Sequence, residues 1–113
     1  MPTIPHLARS ENPSGRIVVK PPIELPRELV LEYLDDSRRN LRALHAALIA
    51  IDCERARVYG HQLKATGRPY GFPYLTTLGT AIEHAATHHD MPGLEHLFHR
   101  LQDYLTGVEI AGE

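Results

Sequence analysis

Apolar residues recur at helical spacing from Pro26 onward. The first run has steps of three, four or seven between its members, which are Val30, Leu34, Leu41, Leu44, Leu48 and Ile51. Such spacing places the apolar side chains on one face of an α-helix, and a proline fits the first turn of a helix. The pattern therefore predicts a long helix over about residues 27–50.

A stripe of small residues marks the second predicted helix. Asp52 is typical of a helix N-cap, and the helix that it starts runs to about Gly67. The inward positions are Cys53, Ala56, Gly60, Leu63 and Gly67. A glycine inside a helix costs ~0.5–1 kcal/mol relative to alanine, so the two glycines indicate that another helix or another protein comes close to this backbone.

Two further helices follow a segment rich in helix breakers, residues 68–73. The third starts near Pro73, and its apolar stripe is Leu75, Leu78, Ile82, Ala85 and His89. Asp90, Pro92 and Gly93 then break the chain. The fourth ends near Gly107, and its stripe is Leu94, Leu97, Leu101, Leu105 and Val108. Four amphipathic helices with short links predict an all-α fold, an antiparallel four-helix bundle over residues 25–108.

The two ends of the chain lack this pattern. Six of the nine prolines lie within the first 26 residues, which excludes a regular helix there and predicts an extended Pro-rich arm over residues 1–24. Ile17, Val18 and Val19 form a β-prone run that is too short for a sheet alone, so we expect it to lie along the body of the domain. Residues 109–113 are expected to be a C-terminal tail.

Composition narrows the classes of function. The 113 residues suit one domain, and twelve Lys and Arg against fourteen Asp and Glu give a net charge of -2, which argues against nucleic acid as a partner. No stretch approaches the ~18 apolar residues of a membrane span, and the N-terminus lacks a secretory pattern. Cys53 is the only cysteine, so no disulfide forms within the chain. We expect a cytoplasmic monomer that does not bind membranes.

One face of the second helix carries a histidine among basic residues. Arg57, His61, Lys64 and Arg68 fall within about 60° of one another on a helical wheel, next to the stripe of small residues. The simplest interpretation is a solvated basic face that includes a histidine. The two glycines nearby favour a site that a partner approaches.

An imidazole on such a face is suited to accept a phosphoryl group. Histidine at neutral pH keeps a ring nitrogen lone pair that attacks without a separate base, and Lys64 lies one turn away to meet the added charge. Hydrolysis or acyl transfer fits poorly, because no Ser or Cys nucleophile lies within a turn and no Asp or Glu is placed to orient the ring. The chain also lacks a phosphate-binding glycine motif, so the phosphoryl group has to come from another protein.

His61, Leu63 and Lys64 read H-x-L-K, and Gly71 follows ten residues after the histidine. This motif resembles the signature of the histidine-containing phosphotransfer (HPt) domain of bacterial two-component phosphorelays. The similarity extends over about residues 25–108, since the YGF of residues 70–72 and the positions of Leu75, Glu83 and Ala86 agree with the pattern of that family.

The resemblance implies a phosphoryl carrier without kinase activity, ATP site or cofactor of its own. A response-regulator receiver domain, which binds Mg2+ itself, would pass a phosphoryl group from its aspartyl phosphate to His61, and a hybrid histidine kinase would stand upstream. Lys64 would stabilise the phosphoryl group, and Arg57, Ala65, Arg68 and Gly71 would contact the partner. Ala65 departs from the family, which usually has glycine four residues after the histidine, so we expect slower or more selective transfer.

Three other functions stay open. The chain could bind receiver domains without accepting phosphate, or serve as the phosphoacceptor segment of a chemotaxis-type kinase that acts in trans. It could also bind a metal through His84 and His88, which are spaced i, i+4 on the third helix but lack a third fixed ligand. His96 and His99 on the fourth helix meet the same objection.

Overall fold

The structure, a computed structural model, describes residues 17–111 and is mainly helical. This part of the chain contains four α-helices, which are α1 (Arg27–Ile49), α2 (Cys53–Gly67), α3 (Pro73–Thr87) and α4 (Met91–Gly107). A 3-10 turn, Arg68–Tyr70, links α2 to α3, and two short strands, β1 (Ile17–Val19) and β2 (Val108–Ile110), flank the helices. The four helices predicted from apolar spacing are thus confirmed. No helix among the described residues is both long and apolar enough to cross a membrane.

Aspartates cap two of the helices. Asp52 accepts a hydrogen bond from the backbone N–H of Arg55 at the start of α2, as its sequence position predicts. Asp90 accepts one from the N–H of Gly93 in the same way. Pro92 and Gly93, which we expected to break the chain, lie in the first turn of α4. Proline is tolerated there because its missing N–H has no partner inside the helix.

Two residues assigned to apolar stripes follow the ends of their helices and are exposed. Ile51 has φ 54° and a relative exposure of 70%, and His89 has φ 55° and is exposed. Each follows the end of a helix, where the next N–H groups bond back to earlier carbonyls: Asp52 N to Ala47 O at 2.8 Å and Asp90 N to Ala85 O at 2.9 Å. This is the Schellman arrangement, which usually places glycine at the left-handed position. The extension of the stripes to Ile51 and His89 was therefore wrong.

The core lies between the helices, and α2 and α3 share the most extensive contact. A Cβ added at Gly60 would lie 2.6 Å from the backbone N of Glu83 and 2.9 Å from the carbonyl O of Gly79. One added at Gly67 would lie 2.6 Å from the backbone N of Thr76. The stripe of small residues on α2 is buried, as predicted, and the structure shows that the close neighbour of its glycines is α3.

The ends of the described chain meet in a small sheet that the all-α assignment omits. β1 pairs with β2 in parallel, with Ile17 opposite Val108 and Val19 opposite Ile110. The backbone N–H of Ala111 also donates to the carbonyl of Val19 at 2.7 Å. Residues placed in an extended arm and in a C-terminal tail thus pair with each other. Residues 1–16 of the predicted arm and residues 112–113 of the predicted tail lie outside the described part.

Candidate functional site

His61 lies on the exposed face of α2 and contacts a carboxylate of α3. Its side chain is 58% exposed, and its Nδ1 is 3.0 Å from Oε2 of Glu83. The other carboxylate oxygen of Glu83, Oε1, is 2.8 Å from Nζ of Lys64. Glu83 is itself only 21% exposed, so its carboxylate lies behind the imidazole and the ammonium group. We refer to these three residues as the His61 cluster.

Close packing of two helices builds this cluster. Gly60 precedes His61, and its Cα faces the backbone of Glu83 without a side chain between them. Gly79 lies one turn before Glu83 on α3, and a Cβ there would meet the backbone of Lys64 and Gly60. Because both glycines remove side-chain bulk at the same level, the backbones come near enough for Glu83 to reach the two side chains of α2.

The negative charge of Glu83 determines which ring nitrogen of His61 carries the proton. The hydrogen bonds from Lys64 and His61 hold the pKa of Glu83 below its ordinary value of 4.5. Glu83 is therefore a carboxylate at neutral pH, and a carboxylate only accepts hydrogen bonds. His61 must donate from Nδ1–H, which leaves the lone pair of the neutral imidazole on Nε2, the nitrogen that Glu83 does not engage.

The expectation that no carboxylate orients His61 was wrong. Glu83 is 22 residues away in sequence, and only the packing of α3 on α2 brings it to the imidazole. At the sequence level Glu83 counted only as a position that agrees with the HPt pattern. A signal was present, since Glu83 follows Ile82 directly and so borders the buried stripe of α3.

The basic face is less positive than the sequence indicates. Arg57 forms a two-point contact with Glu54, with Nε to Oε1 at 3.0 Å and a terminal nitrogen to Oε2 at 2.7 Å. This contact lowers the pKa of Glu54, chiefly through the hydrogen bond. Lys64 is paired with Glu83. Two of the three expected cations thus have a carboxylate partner, so the face that presents His61 carries less net positive charge than the three cations alone would give it.

The other predicted site residues fall in two places. Ala65 is exposed one turn after His61 on α2, and Arg68 is exposed at the end of that helix, where its N–H donates to Thr76 Oγ1 at 2.7 Å. Gly71 ends the 3-10 turn at φ 98°, and a Cβ there would lie 2.7 Å from Cδ of Pro22. The structure therefore gives Gly71 a role in the turn and in contact with the segment after β1.

The aromatic residues around Gly71 pack within the fold. The Tyr70 ring stacks on Tyr33 with centroids 4.4 Å apart, and Phe72 is fully buried. Both rings therefore belong to the packing of the core. Cys53 is buried too, with its Sγ 3.8 Å from Sδ of Met91. Tyr70, Phe72 and Cys53 are therefore part of the packed fold, whereas the imidazole of the His61 cluster is exposed.

The cluster lies on an open surface. One groove of about 740 Å³ runs between α3 and α4, and another of about 470 Å³ runs between α1 and α2. Neither is lined by His61, Lys64 or Glu83. Among residues 17–111 no group of three or more side chains of the types that ligate metals is found. The arrangement suits a reaction partner that brings its own binding site.

Comparisons with known proteins return no relative. No protein-family model, curated protein sequence or solved structure matches the chain. The resemblance to HPt domains therefore depends on the motif residues, and the function has to be argued from the geometry of the His61 cluster.

Proposed function

We propose that this protein is a phosphorelay intermediate that accepts a phosphoryl group on His61 from the aspartyl phosphate of a receiver domain and passes it to another receiver. The observation that carries this proposal is the contact of Glu83 with Nδ1 of an exposed histidine. That contact leaves Nε2 as the nucleophile and keeps it accessible to a large partner.

The transfer of the phosphoryl group needs no catalytic side chain other than those of the His61 cluster. The Nε2 lone pair attacks phosphorus, the bond from phosphorus to the aspartyl oxygen breaks, and the carboxylate leaves with the electron pair. Nδ1–H stays in place, and the positive charge that forms on the imidazole ring faces the carboxylate of Glu83. Reversal of these steps passes the phosphoryl group to the next receiver. Mg2+ belongs to the receiver domain in this scheme.

Lys64 would stabilise the negative charge of the phosphoryl group. A phosphoryl group adds about -1.5 to -2 at neutral pH. Two unit charges 4 Å apart interact by ~1 kcal/mol in water and ~4 kcal/mol at a partly desolvated interface. Lys64 lies one turn from His61 and already points at Glu83 beside it, so a small side-chain movement takes its ammonium group to the phosphoryl oxygens.

The proposed architecture is the antiparallel four-helix bundle with an extended Pro-rich N-terminal arm. Short links support it, because three residues separate α1 from α2 and three separate α3 from α4. Receiver domains, with a hybrid histidine kinase upstream, are the proposed partners, and the proposed setting is the cytoplasm, with the chain as a monomer. Arg57 and Ala65 lie one turn before and one turn after His61 on α2, Arg68 follows the end of that helix, and all three would border the docked receiver.

A receiver-binding module that accepts no phosphate is the second candidate. Ala65 favours it, since its exposed methyl group lies beside His61 on the surface that a receiver has to approach. Such a module would still bind receivers when His61 is replaced by glutamine.

The test is transfer from a phosphorylated receiver domain in Mg2+. We expect label on the protein that is acid-labile, alkali-stable and absent from His61→Ala. Absence of label across a broad receiver panel, from a folded protein that still binds one of the receivers, would contradict transfer and favour the second candidate.

Glu83→Gln tests the role of the carboxylate, with Glu54→Gln as the matched control. Both variants remove a carboxylate from the same surface, but only Glu83 contacts the imidazole. Loss of a group that orients a metal-bound histidine typically costs about 10–100-fold. Glu83 holds the imidazole in the same way, so we expect a slowdown of that order for Glu83→Gln and a much smaller effect for Glu54→Gln. Equal rates in the two variants would show that Glu83 does not orient His61.

A further inference from the structure

His84 and His88 form a second histidine pair at the C-terminal end of α3, turned away from the core. Both side chains are exposed, and their ring centroids are 4.3 Å apart with an angle of 42° between the ring planes. They line the groove of about 740 Å³ between α3 and α4. From this geometry we propose that His84 and His88 bind a divalent transition-metal ion of the zinc class as a two-imidazole chelate.

One hydrogen bond prepares His88 for this role. Its Nδ1 lies 2.9 Å from the backbone carbonyl oxygen of His84. A carbonyl only accepts, so Nδ1 carries the proton and Nε2 keeps its lone pair for a ligand. Histidines that bind metals commonly donate the other ring N–H to a carbonyl or carboxylate, which fixes the ring and the tautomer.

The spacing of the rings fits a single ion. Zinc binds imidazole nitrogen at about 2.0–2.1 Å, so two imidazoles on adjacent coordination positions hold their ring centres within a few ångströms of each other. The ring centres of His84, in the last turn of α3, and His88, the residue after the helix, are 4.3 Å apart, so a slight opening of the pair admits one ion. Imidazole suits zinc, copper and nickel, whereas magnesium prefers oxygen ligands.

The site has two protein ligands and open positions. Asp90 also lines the groove, but its carboxylate is engaged with Gly93 at the start of α4. No group of three potential ligands exists among the described residues, so water or another molecule would complete the coordination. Such a site is exchangeable, unlike a closed structural zinc site with four protein ligands.

A matched control exists on α4. His96 and His99 are also one turn apart, but Nε2 of His96 is 3.5 Å from Nε of Arg100, and the His99 ring packs edge-on against Phe98. This pair has the same composition, but its rings contact Arg100 and Phe98, whereas the rings of His84 and His88 contact each other. Replacing both residues with alanine should leave the metal affinity of the protein unchanged.

The experiment is calorimetric titration of the untagged full-length protein with zinc chloride, and with magnesium chloride as the comparison. We expect one zinc ion per chain at the pair and no magnesium binding there. Changing a group that only supports a ligand costs about 10–100-fold in metal affinity, so His84→Ala and His88→Ala should each cost at least about tenfold. Far-UV circular dichroism checks that these exposed substitutions leave the fold intact.

The ring proton resonances of the histidines locate the ion. We expect the signals of His84 and His88 to shift with zinc and that of His61 to stay in place. Because zinc binds the folded state in this scheme, it should raise the unfolding temperature of the wild type and of the α4 double variant. It should not raise the unfolding temperature of His84→Ala or His88→Ala. Absence of zinc binding, or affinity that survives both His84→Ala and His88→Ala, would overturn the proposal. Neither result bears on phosphoryl transfer through His61.

Discussion

Glu83 binds two neighbours at once, and this sets the chemistry of the candidate site. Its Oε2 accepts from the imidazole of His61, and its Oε1 accepts from the ammonium group of Lys64. The same carboxylate therefore determines which ring nitrogen of His61 is free and holds the ammonium group of Lys64 beside it. A single substitution in the His61 cluster therefore changes the orientation of the imidazole or the charge around it.

Stability in acid should depend on Glu83. Its pKa is lowered in the folded protein, chiefly by the hydrogen bond from Lys64, so its contribution is present above the ordinary value of 4.5 and is lost as the pH falls through the folded pKa. We expect the free energy of unfolding to fall less steeply between about pH 5 and about pH 3 in Glu83→Gln than in the wild type. Denaturant titrations at several pH values in this range measure the free energy of unfolding. Glu32→Gln, an exposed substitution on α1, should keep the pH dependence of the wild type.

Ala65 should limit the rate of transfer. Its methyl group lies on the exposed face of α2 one turn from His61, where a receiver would come close under the proposed function. We expect Ala65→Gly to speed transfer, and to lower the free energy of unfolding by ~0.5–1 kcal/mol because glycine weakens a helix. Transfer rates measured over several receivers check this, and unchanged rates throughout would refute it.

At the scale of elements, the contact between α2 and α3 holds the site together. Gly60 and Gly79 face each other where the helices are closest, and the His61 cluster lies beside that point. The turns before α2 and α4 each end a helix with a left-handed residue, Ile51 and His89, and then start the next with an aspartate cap. The relative position of the helices thus depends on backbone approach and on turns, as well as on apolar side chains.

Gly60→Ala should destabilise the protein, although alanine favours helices. Helix propensity alone would raise the free energy of unfolding by about 1 kcal/mol. The new Cβ would instead lie 2.6 Å from the backbone N of Glu83, and overpacking of this kind costs about 1–3 kcal/mol. We expect a net loss of stability in denaturant titration, together with slower transfer through His61 because Glu83 is displaced. A gain in stability would contradict the close approach of α3.

For the whole molecule, the two ends of the described chain are held by one small sheet and by arginines. β1 and β2 pair in parallel, and Arg27 donates to the carbonyl of Ala111 at 2.9 Å. Arg38 of α1 donates from Nε to Leu105 O at 2.9 Å and from a terminal nitrogen to Val108 O at 3.0 Å. Arg38 thereby satisfies carbonyls at the end of α4, where no further helical turn supplies a donor.

Arg38→Met should reveal this contribution. Methionine keeps much of the side-chain stem and removes both hydrogen bonds, so we expect the free energy of unfolding to fall by about 1–3 kcal/mol. The neighbouring Arg39 is exposed and pairs only locally with Asp36, so Arg39→Met should change it by less than about 0.5 kcal/mol. Denaturant titration compares the two variants, and equal effects would mean that the contacts of Arg38 with α4 add little.

The sequence by itself determined the four helices, the Asp52 cap and the buried stripe on α2. These features depend on local rules: apolar spacing, the preference of aspartate for N-caps and the cost of glycine in a helix. It also singled out His61 and Lys64, which are one turn apart on the same helix. It misplaced Ile51 and His89, because the glycine that usually marks such a turn is missing from both.

Only the tertiary structure decided which distant groups meet. Glu83 contacts His61 because α3 packs on α2. β1 pairs with β2 because the ends of the described chain lie side by side. Local pattern determines which face of an element is apolar, but the rotation and approach of one element against another depend on packing across the whole core. The partner of the imidazole, and with it the nitrogen available for attack, was therefore beyond the reach of sequence spacing.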